Sequence, residues 1–245
     1  MNICKSKLSF LTISFYFNKK LRIEDGEPMR SISLFSGGKD SFLSAQIAME
    51  QGFEIVAAVT VVPEEFSFMF HYPNAHMSHY AASLLGLKVI ETSEENLWKL
   101  IAGMVESDQI EAVISGAIAS DYQKTRIEAA CTDLGIMSFT PLWRMDQGRE
   151  LEEIIMRGIT PIIVSVSAEG FDINDLGMSI DKIYLETLKK KNERYGINVT
   201  GEGGEYETFV TGLSPGKRVI IEESEKVWEG SHGYLLINKA RVTDH

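Results

Sequence analysis

The residues best suited to chemistry lie in three short runs. The first is Ser36, Gly37, Gly38, Lys39, Asp40 and Ser41. It sits between an apolar stretch and a helical pattern. Its glycines let the backbone approach an anion closely, and the helix start offers unpaired N–H groups and the positive end of a dipole. Lys39 adds a mobile charge, and Ser36 and Ser41 add hydroxyl donors. The G-x-x-x-x-G-K-[ST] spacing is not met, so phosphate gripping of the Walker type is not expected. The second run begins Gly116, Ala117, Ile118, Ala119, Ser120, Asp121, Tyr122 and ends at Lys124, Thr125 and Arg126. Small residues at its start admit a flat base or ribose, and Lys124 and Arg126 are placed to reach a phosphate. An ordinary helix entry with solvated charges is the plain alternative. The third run is Gly201, Glu202, Gly203, Gly204, Glu205, Tyr206, Glu207, Thr208 and Phe209. It reads as a loop, neither helix nor strand. Its clustered glutamates repel one another unless a metal, a cation or shared protons intervene, although an acidic surface loop would look the same.

These runs need elements to position them. Residues 30–35 read as a buried strand stopped by Ser-Gly-Gly, and residues 41–51 as a helix ended by Gly52. Strands are then expected at 54–62, 88–91 and 110–115, alternating with helices at 75–85, 94–107 and 122–134. Strands alternating with helices at this spacing predict a parallel α/β sheet, because parallel neighbours need crossovers. Beyond Pro141 the pattern loosens into a helix at 149–157, a strand at 159–166, a helix at 180–195, and short strands at 218–222 and 234–238. The expected organisation is an N-terminal extension (1–28), a nucleotide-binding domain (29–140) and a smaller α+β domain (141–245). In the extension, Lys5 and Lys7 precede an apolar run at 8–17. Asn18, Lys19 and Lys20 follow it without a small-residue cleavage site, so it is not read as a signal peptide.

A formal net charge of -11 repels polyphosphate backbones and argues against a nucleic-acid substrate. The two cysteines, Cys4 and Cys131, form no C-x-x-C pair, which fits a reducing cytoplasm, and nothing approaches a transmembrane span. Ile127, Cys131 and Leu134 share one helical face and read as core. His76 and His79 lie one turn apart with His71 nearby, but no cysteine or spaced carboxylate completes a tetrahedral metal set. Trp143 and Tyr72 are candidates to stack on an adenine or a substrate cation.

The hexapeptide at 36–41, between strand and helix, resembles the PP-loop of the adenine-nucleotide alpha-hydrolases. Together with G-A-I-A-S-D-Y-Q-K-T-R-I-E at 116–128 and G-E-G-G-E-Y-E-T-F at 201–209, it is similar to the diphthine ammonia ligases over nearly everything from Met29 onward. The resemblance implies a Rossmann-like PP-loop domain and an enzyme that cleaves ATP between the alpha and beta phosphates. That family amidates diphthine on translation elongation factor 2, using ammonia and releasing AMP and pyrophosphate. The cofactors implied are ATP and Mg2+. Nucleotide binding falls to Ser36, Gly37, Gly38, Lys39, Asp40, Ser41, Gly116, Tyr122 and Arg126, and the metal to Asp40. Lys39, Asp40, Glu202, Glu205 and Glu207 are the catalytic candidates, with Lys39 steadying the leaving pyrophosphate. Gly203, Gly204, Tyr206, Thr208 and Phe209 are the substrate-binding candidates. Some members carry an additional C-terminal domain, for which no counterpart is expected here. A glutaminase of the N-terminal-nucleophile type needs Cys after its initiator Met. Asn2 follows Met1 and Arg30 follows Met29, so free ammonia is the expected donor. Two rival readings keep the same loop: a tRNA-modifying PP-loop enzyme, and a non-catalytic adenine-nucleotide sensor. The oligomeric state, a homo-oligomer included, is left open.

Overall fold

The computed structural model describes residues 27–62 and 74–243, so residues 1–26 of the expected extension, Cys4 among them, and His71 and Tyr72 lie outside the described residues. Five parallel strands make the first sheet: β1 (Met29–Leu34), β2 (Phe53–Val61), β3 (Val89–Thr92), β4 (Ala112–Ile114) and β5 (Met137–Phe139). Their spatial order is β3-β2-β1-β4-β5. The helices between them are α1 (Lys39–Glu50), α2 (Ser78–Leu84, entered by a 3-10 turn at Ala75–Met77), α3 (Leu97–Ser107) and α4 (Asp121–Asp133). The chain winds outward from β1 in one direction and then returns to β1's other side with β4. The order therefore reverses between β1 and β4, and the loops leaving those two strands become neighbours. Ligands of open parallel sheets collect at such a reversal.

The second half contributes α5 (Gln147–Met156), β6 (Ile159–Val166), α6 (Lys182–Tyr195), β7 (Tyr206–Leu213), β8 (Arg218–Glu229) and β9 (His232–Thr243). Its strands close antiparallel in the order β6-β7-β8-β9. The α/β sheet and the smaller α+β unit are thus both present. Three details differ from the sequence reading. The acidic run is a loop only as far as Glu205. Tyr206, Glu207, Thr208 and Phe209 begin β7, opposite Val166, Ser165, Ile163 and Ile162 of β6. Pairing with a strand some forty positions earlier overrides the glycines just upstream. The three-residue β5 was not expected, and β8 and β9 form a hairpin of 12 residues per strand, much longer than the short strands anticipated.

The sheet is covered on both faces. On one, Ile32, Val59 and Val113 pack with Ile101 and Met104 of α3 and Cys131 of α4. Burial pushes the Cys131 thiol up to about 12, and the Glu128 charge adds to it, so it stays protonated as a small core residue. On the other face, Phe35, Phe42, Leu43 and Ala81 join Leu151, Ile154, Ile163, Phe209 and Val210 in one core. That shared core fixes the second half against the loop that follows β1.

Candidate active site

The loop after β1 is shaped by contacts that tolerate little change. Gly37 has φ +83°, and a Cβ there would lie 3.2 Å from the Ser78 Cα. Beneath it, the Thr60 hydroxyl links the Phe35 carbonyl (2.6 Å) to the Ser78 hydroxyl (2.9 Å). The Ser36 and Ser41 hydroxyls lie 3.2 Å apart. The Ser36 N–H donates to Ser41 Oγ at 3.2 Å, and Ser41 Oγ donates to the Gly38 carbonyl at 3.0 Å. The two serines therefore hold the loop's form as well as offering oxygens to a ligand. Gly38 is the N-cap of α1, and the first intrahelical bond runs from the Phe42 N–H to its carbonyl at 3.1 Å. First-turn amides before it lie outside the helix ladder and are suited to an anion.

The loop after β4 closes on this one. A Cβ on Gly116 would lie 2.8 Å from both the Asp40 carbonyl carbon and the Ser41 nitrogen, so only glycine lets the two loops meet. The second half clamps the loop from the other side. The Val210 N–H donates to the Gly37 carbonyl at 2.9 Å, and the Lys39 N–H donates to Thr208 Oγ1 at 3.0 Å. Strand β7 is thereby bonded directly to the loop of residues 36–41.

At the centre, Lys39 is not the mobile charge the sequence suggested. Its side chain is 2% exposed, with Nζ 2.5 Å from Asp40 Oδ1 and 3.3 Å from Glu150 Oε1. Nζ also lies 6.0 Å from the centroid of the Tyr206 ring. Burial alone would lower the lysine, but Asp40, Glu150 and Tyr206 together hold it well above the ordinary range, so it stays an ammonium. Glu150 is fully buried on α5, where Asp146 caps the first turn by accepting from the Arg149 N–H at 3.0 Å. Burial raises its carboxyl far above the usual carboxylate range. The Lys39 ammonium opposes this and the Asp40 charge adds to it. Glu202 joins from the acidic loop. Its Oε2 accepts from the Ala119 N–H at 3.3 Å, and burial followed by the Asp40 charge raises it.

The remaining predicted residues divide by position. Glu205 shapes its own loop, with Oε1 accepting from the Asn198 N–H at 2.7 Å. Gly204 has φ +82°, and its carbonyl accepts from the Ser167 hydroxyl. Gly203 packs beside the Glu205 carboxylate. The Tyr206 hydroxyl donates to the Val199 carbonyl at 2.7 Å, and Phe209 is core, so neither aromatic presents an open face. Glu207 carries no charged neighbour that perturbs it, and burial alone pushes it up to about 7. Tyr122 and Arg126 are not brought to the Lys39 cluster. They lie on the exposed face of α4, where the Arg126 guanidinium contacts Glu94 and the Tyr122 hydroxyl, each at 3.2 Å. Trp143 lies between two cations, 5.1 Å from Lys124 Nζ and 5.5 Å from the Arg144 guanidinium carbon. His79 Nδ1 lies 2.7 Å from the His76 carbonyl. Among the described residues no group of three or more His, Cys, Asp or Glu is arranged to hold a metal ion.

Glu150 is the residue that sequence reasoning missed. Its one available signal was position, a glutamate on the face of α5 that carries Leu151 and Ile154.

Family models bear on this arrangement directly. The diphthamide synthase N-terminal domain matches residues 29–138, and the diphthamide synthase C-terminal domain matches residues 146–243. The chain belongs to the diphthamide synthase, or diphthine–ammonia ligase, family. It is 33% identical over 229 residues to the diphthine–ammonia ligase of Bos taurus, covering 81% of this chain and 85% of that protein. The Homo sapiens enzyme is 32% identical over the same length and with the same coverage. The Schizosaccharomyces pombe enzyme is 30% identical over 239 residues, and the alignment takes in 87% of this chain but 39% of that longer protein. These family relatives are ligases that form carbon–nitrogen bonds, and the present chain is an ATP-using member of their family. Among the described residues no helix is long and apolar enough to cross a membrane.

Proposed function

We propose that this protein amidates diphthine on translation elongation factor 2 to diphthamide, in the cytoplasm, with residues 29–140 binding the nucleotide and residues 141–245 supplying the acceptor site. The observation that best supports this reading is the bonding of β7 to the nucleotide loop. The run G-E-G-G-E-Y-E-T-F and the run S-G-G-K-D-S form one wall through the Val210–Gly37 and Lys39–Thr208 hydrogen bonds.

The reaction joins two steps. A diphthine carboxylate oxygen attacks the alpha phosphorus of ATP, the bond to the beta-phosphate oxygen breaks, and pyrophosphate leaves. Ammonia then attacks the acyl carbon of the resulting mixed anhydride, AMP leaves, and the extra proton passes to a carboxylate. The loop amides, Ser36, Ser41, Gly37, Gly38 and Gly116 hold the nucleotide, and Lys39 stabilises the charge gathering on the leaving pyrophosphate. Glu202, beside Asp40 and at the edge of the second loop, is placed to take the proton. A magnesium ion travelling with nucleotide phosphates needs only one or two protein carboxylates, and Asp40 at the loop is the group suited to it. When bound, it neutralises phosphate charge. The trimethylammonium of diphthine calls for carboxylates and open aromatic faces. Glu202 supplies the first, while the rings of Tyr122 and Trp143 already face the Arg126 guanidinium and the Lys124 and Arg144 cations.

The test is to replace Glu202, Glu205 and Glu207 with glutamine singly and to measure amidation and ATP binding on each variant. Amidation should suffer more than nucleotide binding. Equal loss of both would remove the acceptor role from this run.

A further inference from the structure

The ammonium that faces the nucleotide loop is held from outside that loop. Glu150 reaches it across 111 positions of sequence, from the first turn of α5, and both side chains are almost wholly out of water. Its Oε2 finds no hydrogen-bond donor. Glu150 is flanked in the helix by Leu151 and Ile154, both fully buried. A buried pair of this kind is often no better for stability than apolar residues at both positions, although losing one partner alone leaves the other uncompensated. The carboxyl therefore earns its place by what it does to Lys39. Asp40, the lysine's nearer partner, is partly exposed, its side chain at 31%, and is the loop carboxylate suited to a phosphate-bound cation.

We propose that Glu150 is the positioning residue for Lys39, fixing the ammonium from the second half of the chain so that it meets the pyrophosphate as it leaves. This rests on the ligase reading given above. Asp40 holds Nζ from within the loop at 2.5 Å and Glu150 holds it from the second half at 3.3 Å, the contact that would remain where Asp40 takes up a cation. The Tyr206 ring centroid lies 6.0 Å from Nζ, so a second group of the second half borders the same ammonium.

The experiment measures pyrophosphate release with diphthine-bearing elongation factor 2 for wild type, Glu150→Met and Glu150→Gln, each also in a Lys39→Met background, with rates counted per ATP-binding site. Glu150→Met should melt lower than wild type, because it takes one acceptor from a buried ammonium, yet stay folded at the assay temperature, while kcat falls about 100-fold, the scale of a misplaced catalytic group, and KM for ATP changes little. Glu150→Gln keeps an acceptor oxygen and should recover most of that loss. In the Lys39→Met background Glu150→Met should add nothing, because its effect passes through the lysine. Wild-type kcat in Glu150→Met overturns the proposal. So does a Gln variant as slow as Met, a loss that multiplies without Lys39, or a Met variant that does not fold. Silence of the wild-type protein itself would instead overturn the ligase reading, and the proposal with it.

Discussion

Replacing Glu207 with glutamine should change how the protein's stability depends on pH. In β7 this carboxyl is pushed from its ordinary 4.5 up to about 7 by burial, with no charged neighbour contributing. Between those two values the folded protein keeps a proton that the unfolded chain has released. Its unfolding free energy therefore falls as pH rises through that window, and is flat on either side of it. The window spans about 2.5 pH units, and at about 1.4 kcal/mol per unit the loss comes to about 3 kcal/mol. Glutamine carries no charge at any of these pH values and escapes the loss. Urea unfolding of both proteins at pH 5 and pH 8 reads the effect, and contributions from Glu150 and Glu202 cancel because both proteins carry them. The two should be close in stability at pH 5, and Glu207→Gln the more stable by about 2 to 3 kcal/mol at pH 8. A difference between variant and wild type that is the same at both pH values would refute the reasoning, since the carboxyl would then titrate in the folded protein as it does in the unfolded chain.

Three further outcomes follow from the loop contacts. Gly116→Ala places a methyl 2.8 Å from backbone atoms of Asp40 and Ser41 and must push the two loops apart. A strain of about 1 to 3 kcal/mol, felt at the nucleotide, corresponds to about 5- to 150-fold weaker ATP binding by calorimetry. Thr208→Val removes the acceptor of the Lys39 N–H at the start of α1 and should cost about 1 kcal/mol in chemical denaturation. Arg126→Ala breaks an exposed pair with Glu94 whose side chains are 50% and 72% accessible. Stability should change by less than about 1 kcal/mol, and ATP affinity should stay near wild type in the same calorimetry.

What could be read from the sequence was what is local. The strand, the glycine pair and the helix start at 36–41 lie within a dozen residues, and backbone geometry allows few alternatives there. Gly116 was legible for the same reason, as a small residue at a strand end, although its partner at Asp40 and Ser41 was not. The start of β7 was misread because glycines at 201, 203 and 204 dominate their window, while the pairing of Tyr206 with Val166 comes from forty positions away. The β-branched and aromatic content of Tyr206–Leu213 was the signal that pointed to a strand. Lys39 looked mobile because sequence shows a lysine's charge and not the carboxyls around it. Glu150 was hidden in a polar stretch, Arg149-Glu150-Leu151-Glu152-Glu153, and only its shared face with Leu151 and Ile154 set it apart. The runs at 36–41, 116–128 and 201–209 could each be seen as chemistry-bearing, but the hydrogen bonds that join the first and third depend on the folded core between them.

The central claim is tested most directly by incubating the purified protein with ATP, Mg2+ and ammonium, and with either diphthine-bearing or unmodified elongation factor 2. Pyrophosphate release and the mass of the modified histidine are then followed together. Release accompanied by conversion to the amide with the diphthine-bearing factor alone is the predicted result. Intact ATP binding with no amide formed on that factor would contradict the account.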